Sequence, residues 1–178
     1  MKKRIIIISI TVVIILISIT FIWCYVKSHD EKNMSYKFEE NDLYITVNGE
    51  EWIEVPGDFS HTANHLNEIN GGRYRDNTYQ MNNNKIVFYR EIETLESYQK
   101  SGGRRYITYL VYSDDRGKTW KEADCLRPTD LPDTIKSIYF KNKNEGEMIV
   151  YDEINNQNEL LTTMNGGEAW NFKEVVQD

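Results

Sequence analysis

Residues 113–120 read Ser-Asp-Asp-Arg-Gly-Lys-Thr-Trp, a run of turn-forming residues that ends in a tryptophan. Aspartate and serine side chains hydrogen-bond backbone amides a few residues along the chain and so build turns. Gly117 can adopt a backbone conformation that other residues avoid. Trp120 closes the stretch with an indole that can bury a large apolar area. The pattern predicts a hairpin turn that is fastened by its own side chains.

Two related stretches occur elsewhere in the chain. Residues 163–170, Thr-Met-Asn-Gly-Gly-Glu-Ala-Trp, repeat the hydroxyl, the Asp or Asn two positions later, the glycine and the final tryptophan. Residues 46–52, Thr-Val-Asn-Gly-Glu-Glu-Trp, form a less regular copy that is one residue shorter. Each copy stands between two β-like runs, so the repeating unit is predicted to be strand, turn and strand.

The eight-residue stretch 113–120 resembles the Asp box, also called the BNR repeat, of sialidases and other β-propeller proteins. In such families the box lies at the turn between the outer strands of a blade, away from any catalytic centre. The resemblance covers the boxes and their flanking strands, and it implies sialidase-like, propeller-type architecture. It also implies structural roles for Ser113, Asp115, Gly117, Thr119, Trp120, Thr163, Asn165, Gly167, Trp170 and Trp52.

The chain is too short for a complete propeller. The tryptophans that end the three copies are 68 and 50 residues apart. A blade takes roughly 40–50 residues, and closed propellers typically have four or more blades. We therefore expect about three blade-like units, which either form a small open stack of sheets or are completed by a partner or by another copy of the chain.

Short runs rich in Tyr, Ile, Val and Thr predict an all-β domain of antiparallel hairpins or partial propeller-like blades. Turn signals rich in Gly and Asn separate these runs. Residues 57–77 and 91–104 are predicted to be long loops, with one helical turn at 91–100. The predicted strands cover residues 42–47, 85–92, 104–113, 134–140, 146–152, 159–164 and 169–175.

The N-terminal residues predict a transmembrane signal anchor. Residues 5–26 carry no charge, and 22 residues of helix span about 33 Å, enough to cross a bilayer. Lys2, Lys3 and Arg4 precede them, which keeps residues 1–4 in the cytoplasm and places the rest outside. Residues 27–40 are polar and are predicted to be a stalk before a β domain at 41–178.

Two alternatives to the anchor remain open. A cleaved signal peptide has a shorter apolar region and a small-residue cleavage site, and neither is found in residues 5–26. Lipidation at Cys24 would require a small residue before it, where Trp23 stands. Cys125 is the second of the two cysteines, so packing rather than a disulfide framework must hold the domain.

The charge of the chain excludes some partners. The chain carries 21 basic and 28 acidic residues. Three basic residues precede the apolar run, so 18 basic and 28 acidic residues follow it, a net charge of −10. Such a domain lacks the basic surface that binds nucleic acid. We expect no nucleic-acid partner, and we interpret the acidic charge as a source of solubility.

No catalytic, cofactor or metal site is predicted. Arg116 stands where a calcium loop needs an oxygen ligand. His61 and His65 have the spacing of zinc ligands on a helix, but their polar surroundings favour solvated histidines in a loop. None of the seven arginines from Arg73 to Arg127 lies in the sequence context of the catalytic arginines of sialidases.

These features predict a membrane-anchored, extracytoplasmic, non-catalytic binding or assembly module. Its expected partners are the cytoplasmic membrane, through the N-terminal helix, and a protein partner or a second copy of the chain. The alternative is a sialidase-like protein that binds or hydrolyses glycans, because tyrosines between Tyr74 and Tyr112 are abundant enough to form a binding surface.

Overall fold

The computed structural model describes residues 13–22, 25, 33–82, 85–94, 105–124, 134–152 and 155–176. Residues 13–22 and 25 are helical. The remaining described residues form one further helix and eleven strands: β1 (Ser35–Glu39), β2 (Asp42–Thr46), β3 (Ile53–Glu54), α1 (Ser60–Asn70), β4 (Gln80–Met81), β5 (Ile86–Thr94), β6 (Arg105–Ser113), β7 (Lys121–Asp124), β8 (Thr134–Phe140), β9 (Gly146–Asp152), β10 (Gln157–Thr163) and β11 (Asn171–Val176).

The strands form three antiparallel sheets in which chain neighbours pair. Sheet A contains β1 to β3, sheet B contains β4 to β7, and sheet C contains β8 to β11. In each sheet a box-like turn joins the last two strands: 46–52 joins β2 to β3, 113–120 joins β6 to β7, and 163–170 joins β10 to β11. The prediction of an all-β domain of antiparallel hairpins is confirmed at this level.

Sheet B lies between the other two sheets. Ile86 and Phe88 of β5 pack in an apolar cluster with residues of sheet A and α1. Val87, which points to the opposite face, packs in a second cluster with residues of sheet C. All three side chains are fully buried, and each such burial is worth about 1.5–3 kcal/mol. The three sheets are therefore stacked layers with two cores.

Sheets B and C also meet along one edge. The Gln80 side chain of β4 accepts a hydrogen bond from the Phe140 amide (2.6 Å) and donates one to the Phe140 carbonyl (3.2 Å). The Ile138 amide donates to the Asn77 carbonyl at 2.7 Å. These bonds fix the first strand of sheet B against the first strand of sheet C.

The helix α1 was missed by the sequence analysis, which assigned residues 57–77 to a loop. Its apolar face is small, because Thr62, Ala63 and Leu66 are its buried residues. Gly71 follows the helix with a φ of 62°, a conformation that glycine adopts readily at a helix end. A helix with so few apolar residues has a weak periodic signal.

Two further expectations are corrected. Ser35–Glu39 forms β1, so the β domain begins before residue 41 and the predicted stalk loses its second half. Tyr36 and Phe38 alternate along β1 and pack against the core of sheet A, which explains why this short polar segment is a strand. Strand β5 runs to Thr94, so no helical turn occurs at 91–94, and residues 95–100 lie outside the described residues.

The predicted transmembrane helix over 5–26 stays a prediction. Residues 5–12, 23–24 and 26 of that segment lie outside the described residues. Within the part of the chain that is described, no helix combines the length and the apolar character needed to cross a bilayer.

Candidate functional site

The turn at 113–120 is closed by its own side chains. Ser113 Oγ accepts a hydrogen bond from the Gly117 amide at 2.8 Å. Asp115 accepts one from the Thr119 amide (2.8 Å) and another from the Thr119 hydroxyl (2.6 Å). These bonds from Thr119 are the main reason that the pKa of Asp115 falls to about 2. The Trp120 indole N–H donates to the Gly117 carbonyl at 3.1 Å.

The turn at 163–170 repeats this geometry with an amide in place of the carboxylate. Thr163 Oγ1 accepts from the Gly167 amide at 3.0 Å, and Asn165 Oδ1 accepts from the Ala169 amide at 3.0 Å. The Trp170 ring lies edge-on to Phe140, with centroids 5.8 Å apart. Among the described residues its buried indole nitrogen has no hydrogen-bond partner.

The turn at 46–52 uses the same residue types over one residue fewer. Thr46 Oγ1 accepts from the Gly49 amide at 2.9 Å. Asn48 Oδ1 accepts from the amides of the two following glutamates at 2.9 and 3.1 Å. Trp52 departs from the other two tryptophans, since it is 42% exposed and lies beneath the Lys37 ammonium at 4.4 Å. The short turn is closed without burying its indole.

A buried lysine connects two of the turns. Lys85 precedes β5, and its side chain is fully buried. Its ammonium donates hydrogen bonds to the Asp114 carboxylate (2.9 Å) and the Gly166 carbonyl (2.7 Å). Asp114 belongs to the turn at 113–120 and Gly166 to the turn at 163–170. One cation therefore holds both turns in a fixed relation.

A third carbonyl and two aromatic rings also contact the Lys85 ammonium. The ammonium also donates to the Lys143 carbonyl at 3.2 Å. It lies 4.1 Å from the centroid of the Tyr112 ring and 4.4 Å from that of Phe140. Burial lowers the pKa of Lys85, and the bond to Asp114 opposes this shift. The sequence analysis missed Lys85, because a single lysine before an apolar run is usually solvated.

Arg116 connects the turn at 113–120 to the turn at 46–52. Its guanidinium donates to the Val47 carbonyl at 3.1 Å, and its backbone is held at a φ of 65°. Positive φ is uncommon for a residue other than glycine. Arg116 therefore connects the turn at 46–52 to the turn at 113–120, and Lys85 connects the turn at 113–120 to the turn at 163–170.

Both carboxylates of the turn at 113–120 have hydrogen-bond partners within the chain. Asp114 binds Lys85 and Asp115 binds Thr119. The described part of the chain contains no group of three or more His, Cys, Asp or Glu residues placed to hold a metal ion. His65 lies on α1, not in a loop, and its Nδ1 is 2.8 Å from the Glu91 carboxylate. Cys24, Cys125 and residues 102–104 lie outside the described residues.

A cleft lies where the first strands of the three sheets meet. Its volume is about 710 Å³, and residues 34–36 at the start of β1, 76–77 and 79–82 around β4 and 138–139 of β8 contribute its lining. This volume is within the usual range for ligand sites. None of the box residues lines it. The sequence analysis missed the cleft, because its three walls are distant in the sequence.

Three tyrosines, Tyr36, Tyr79 and Tyr139, lie among the residues that line the cleft, and most of the lining surface is polar. Tyr36 meets Tyr79 edge-on with ring centroids 4.9 Å apart, and Tyr79 stacks on Phe88 at 5.6 Å. The Tyr36 hydroxyl accepts a hydrogen bond from the Tyr74 amide at 3.0 Å. Burial raises the pKa of both Tyr36 and Tyr79, so both phenols stay neutral. The rings of Tyr36 and Tyr79 thus connect the lining of the cleft to the core behind it.

Comparison of the chain with protein-family models, with curated proteins and with solved structures gives no match. The resemblance to the Asp box therefore stays a prediction that rests on the residues of the turns.

Proposed function

We propose that the protein is a membrane-anchored, extracytoplasmic binding module without catalytic activity, and that its ligand occupies the cleft between β1, β4 and β8. The observation that carries the proposal is the cleft itself, which has three tyrosines in a mostly polar lining and a volume of about 710 Å³. A concave site of this volume can enclose a ligand, and its tyrosine rings and polar side chains can contact that ligand.

The groups in the cleft suit binding better than acid–base chemistry. A general acid or base works best when its pKa lies near the operating pH. The phenols of Tyr36 and Tyr79 have raised pKa values, so they serve as hydrogen-bond donors and stacking surfaces. Asp76 is the one carboxylate among the described residues that line the cleft, so it has no second acid beside it.

The N-terminal residues support the membrane anchor. The apolar side chains between residues 13 and 22 are 50–74% exposed, as expected of a helix that needs an apolar environment. The hydroxyls of Ser18 and Thr20 donate to the carbonyls of Ile14 (2.9 Å) and Ile17 (2.7 Å). In lipid such polar groups must be satisfied within the helix.

The sheet topology supports a short relative of the propeller architecture. Each sheet is a meander in chain order, and its box-like turn joins its last two strands. Sheets A and C each have one face that no other described sheet covers. A partner or a second copy of the chain would complete the stack at these faces.

Crosslinking of the full-length protein in its own membrane, followed by mass spectrometry, tests the binding function. We expect one discrete foreign partner. Crosslinks that recover the same background proteins as an unrelated membrane protein would contradict the proposal.

Labelling of intact cells with a membrane-impermeant amine reagent tests the orientation. We expect modification of the exposed Lys173 without cell lysis. Modification of Lys173 only after lysis would place the domain in the cytoplasm and contradict this part of the proposal.

A second candidate is binding or hydrolysis of cell-surface glycans. It is favoured by the tyrosine rings of the cleft, because exposed tyrosines form binding surfaces for sugars as well as proteins. Tyr139 is 59% exposed and offers one such ring. Saturable binding to a glycan panel, lost in Tyr139→Ala, would support this candidate, and its absence across the panel would reject it.

A further inference from the structure

The cleft has the chemistry of a site for a cation. We infer that it receives a lysine- or arginine-bearing segment of a partner protein, an inference that rests on the proposed binding function.

The charged group in the lining of the cleft favours a cation. Asp76 is the one charged side chain among the described residues of its lining, and no lysine or arginine is found there. Arg73 opposes the rise in the pKa of the Tyr36 phenol but does not line the cleft, so the charged lining group that a ligand would meet among the described residues is the Asp76 carboxylate. A guanidinium or ammonium group would pair with this carboxylate, and a guanidinium could do so with two parallel hydrogen bonds.

The rings of the cleft add a second attraction for a cation. The face of a tyrosine ring is electron-rich and attracts ammonium and guanidinium groups. Tyr36 and Tyr79 are fixed by their edge-on contact, and Tyr139 is 59% exposed. Met34 and Met81 also line the cleft, and their flexible, polarizable side chains suit the long aliphatic stem of a lysine or arginine.

The protein uses the same pairing repeatedly within its own fold. Cations lie over aromatic rings at several places, among them Lys37 over Trp52 at 4.4 Å, Lys85 over Tyr112 at 4.1 Å and Arg90 over Tyr109 at 5.0 Å. In the cleft, tyrosine rings and a carboxylate are present, and a cation of the chain is not among the described lining residues. A ligand would supply it.

The net charge of the domain favours the same class of partner. The residues after the apolar run carry a net charge of −10. A protein with this field attracts basic segments and raises their association rate. A neutral sugar would gain nothing from this field, whereas a basic peptide gains from the field, from Asp76 and from the rings.

Calorimetric titration of the full-length protein in detergent micelles tests the inference. The probe is a blocked hexapeptide in which glycine and serine flank two central arginines. The matched probe carries citrulline in place of arginine, which keeps the shape and removes the charge. We expect saturable binding of the arginine peptide and at least fivefold weaker binding of the citrulline peptide.

Variants locate the binding in the cleft. Asp76→Asn is expected to weaken binding of the arginine peptide about threefold or more. Tyr139→Leu, which removes a ring and keeps apolar bulk, should weaken it about two- to fivefold. Tyr139→Phe keeps the ring and should bind within twofold of the parent. Glu68→Gln removes an acid from α1, outside the cleft, and should also leave binding within twofold.

The following outcomes would overturn the inference. Equal binding of the citrulline peptide would show that charge is not recognised. Equal losses in Asp76→Asn and Glu68→Gln would show attraction to the whole domain instead of to the cleft. A neutral oligosaccharide that binds and displaces the arginine peptide would favour a glycan ligand. If neither peptide binds while crosslinking still yields a discrete partner, the binding module stands and the cationic ligand is wrong.

Discussion

The turns at 113–120 and 163–170 share one set of closing bonds and differ in how they contact their neighbours. The hydroxyl-to-glycine bond is 2.8 Å in the first turn and 3.0 Å in the second. The bond to the aspartate or asparagine oxygen is likewise 2.8 and 3.0 Å. An amide oxygen therefore replaces a carboxylate oxygen without changing the backbone. The remaining positions are free to serve the packing of the sheets.

The residue at the fourth position differs between the two turns and contacts a different neighbour in each. Arg116 extends to Val47 in the turn of sheet A, whereas the equivalent Gly166 allows a close approach. A Cβ atom at Gly166 would lie 3.1 Å from the Lys143 carbonyl and 3.4 Å from the Lys85 ammonium. One turn contributes a long side chain to a neighbour, and the other contributes a backbone carbonyl that accepts a buried hydrogen bond from Lys85.

The largest expected effect is at Lys85, which contacts both turns. Lys85→Met leaves the Asp114 carboxylate and the Gly166 and Lys143 carbonyls without their donor. We expect a loss of about 3 kcal/mol in the free energy of unfolding, because removing one partner of a buried pair is costly. Urea unfolding measures it.

The matched control is Lys121→Met. The Lys121 side chain is 57% exposed and lies 3.9 Å from Asp114, so its loss should stay within about 0.5 kcal/mol. Equal effects of the two substitutions would show that Lys85 does not connect the turns.

The next largest effects on stability are expected at Trp120 and Trp170, which differ in their hydrogen bonds. Trp120 bonds the Gly117 carbonyl, whereas the Trp170 nitrogen has no partner among the described residues. Trp120→Ala should cost about 3 kcal/mol. Trp120→Phe should cost about 1 kcal/mol more than Trp170→Phe, because only the first substitution removes a hydrogen bond. Thermal unfolding of the two phenylalanine variants measures the difference, and equal losses would contradict the distinction.

Substitutions at the fourth position of each turn, Arg116 or Gly166, should change the free energy of unfolding less. Gly166 has a φ of 78°, so Gly166→Ala adds both backbone strain and crowding and should cost about 2 kcal/mol. Arg116→Gly removes the bond to Val47 but also relieves a positive φ, so a net loss of about 1 kcal/mol is expected. If Gly166→Ala proved the milder change in urea unfolding, the close approach at Gly166 would not matter for stability.

The carboxylate of Asp115 gives the smallest effect, visible in its pH dependence. The folded pKa of about 2 lies below the ordinary value of 3.8. The charged form thus stabilises the fold above about pH 4, and this contribution is lost as the pH falls from about 4 to 2. In Asp115→Asn, which reproduces Asn165, melting temperatures should decline less over this window. A parallel decline in both proteins would contradict the assignment.

The sequence predicts the strands well because alternating apolar residues and Gly- or Asn-rich turns are local signals. The runs 134–140 and 146–152 match β8 and β9. Helix α1 escapes prediction because its buried face consists of Thr62, Ala63 and Leu66. Lys85 and the cleft escape because both depend on contacts between sheets. Lys85 reaches Gly166, 81 positions away in the chain.

We propose that the turns hold the sheets together and that the cleft binds the ligand. A photoreactive amino acid placed at Tyr139, in the cleft, or at Met164, in the turn at 163–170, tests it directly in the full-length protein. Both positions are well exposed, at 59% and 72%. We predict a discrete crosslinked partner from position 139, which the arginine hexapeptide suppresses, and none from position 164. A partner crosslinked from position 164 and not from position 139 would contradict the account.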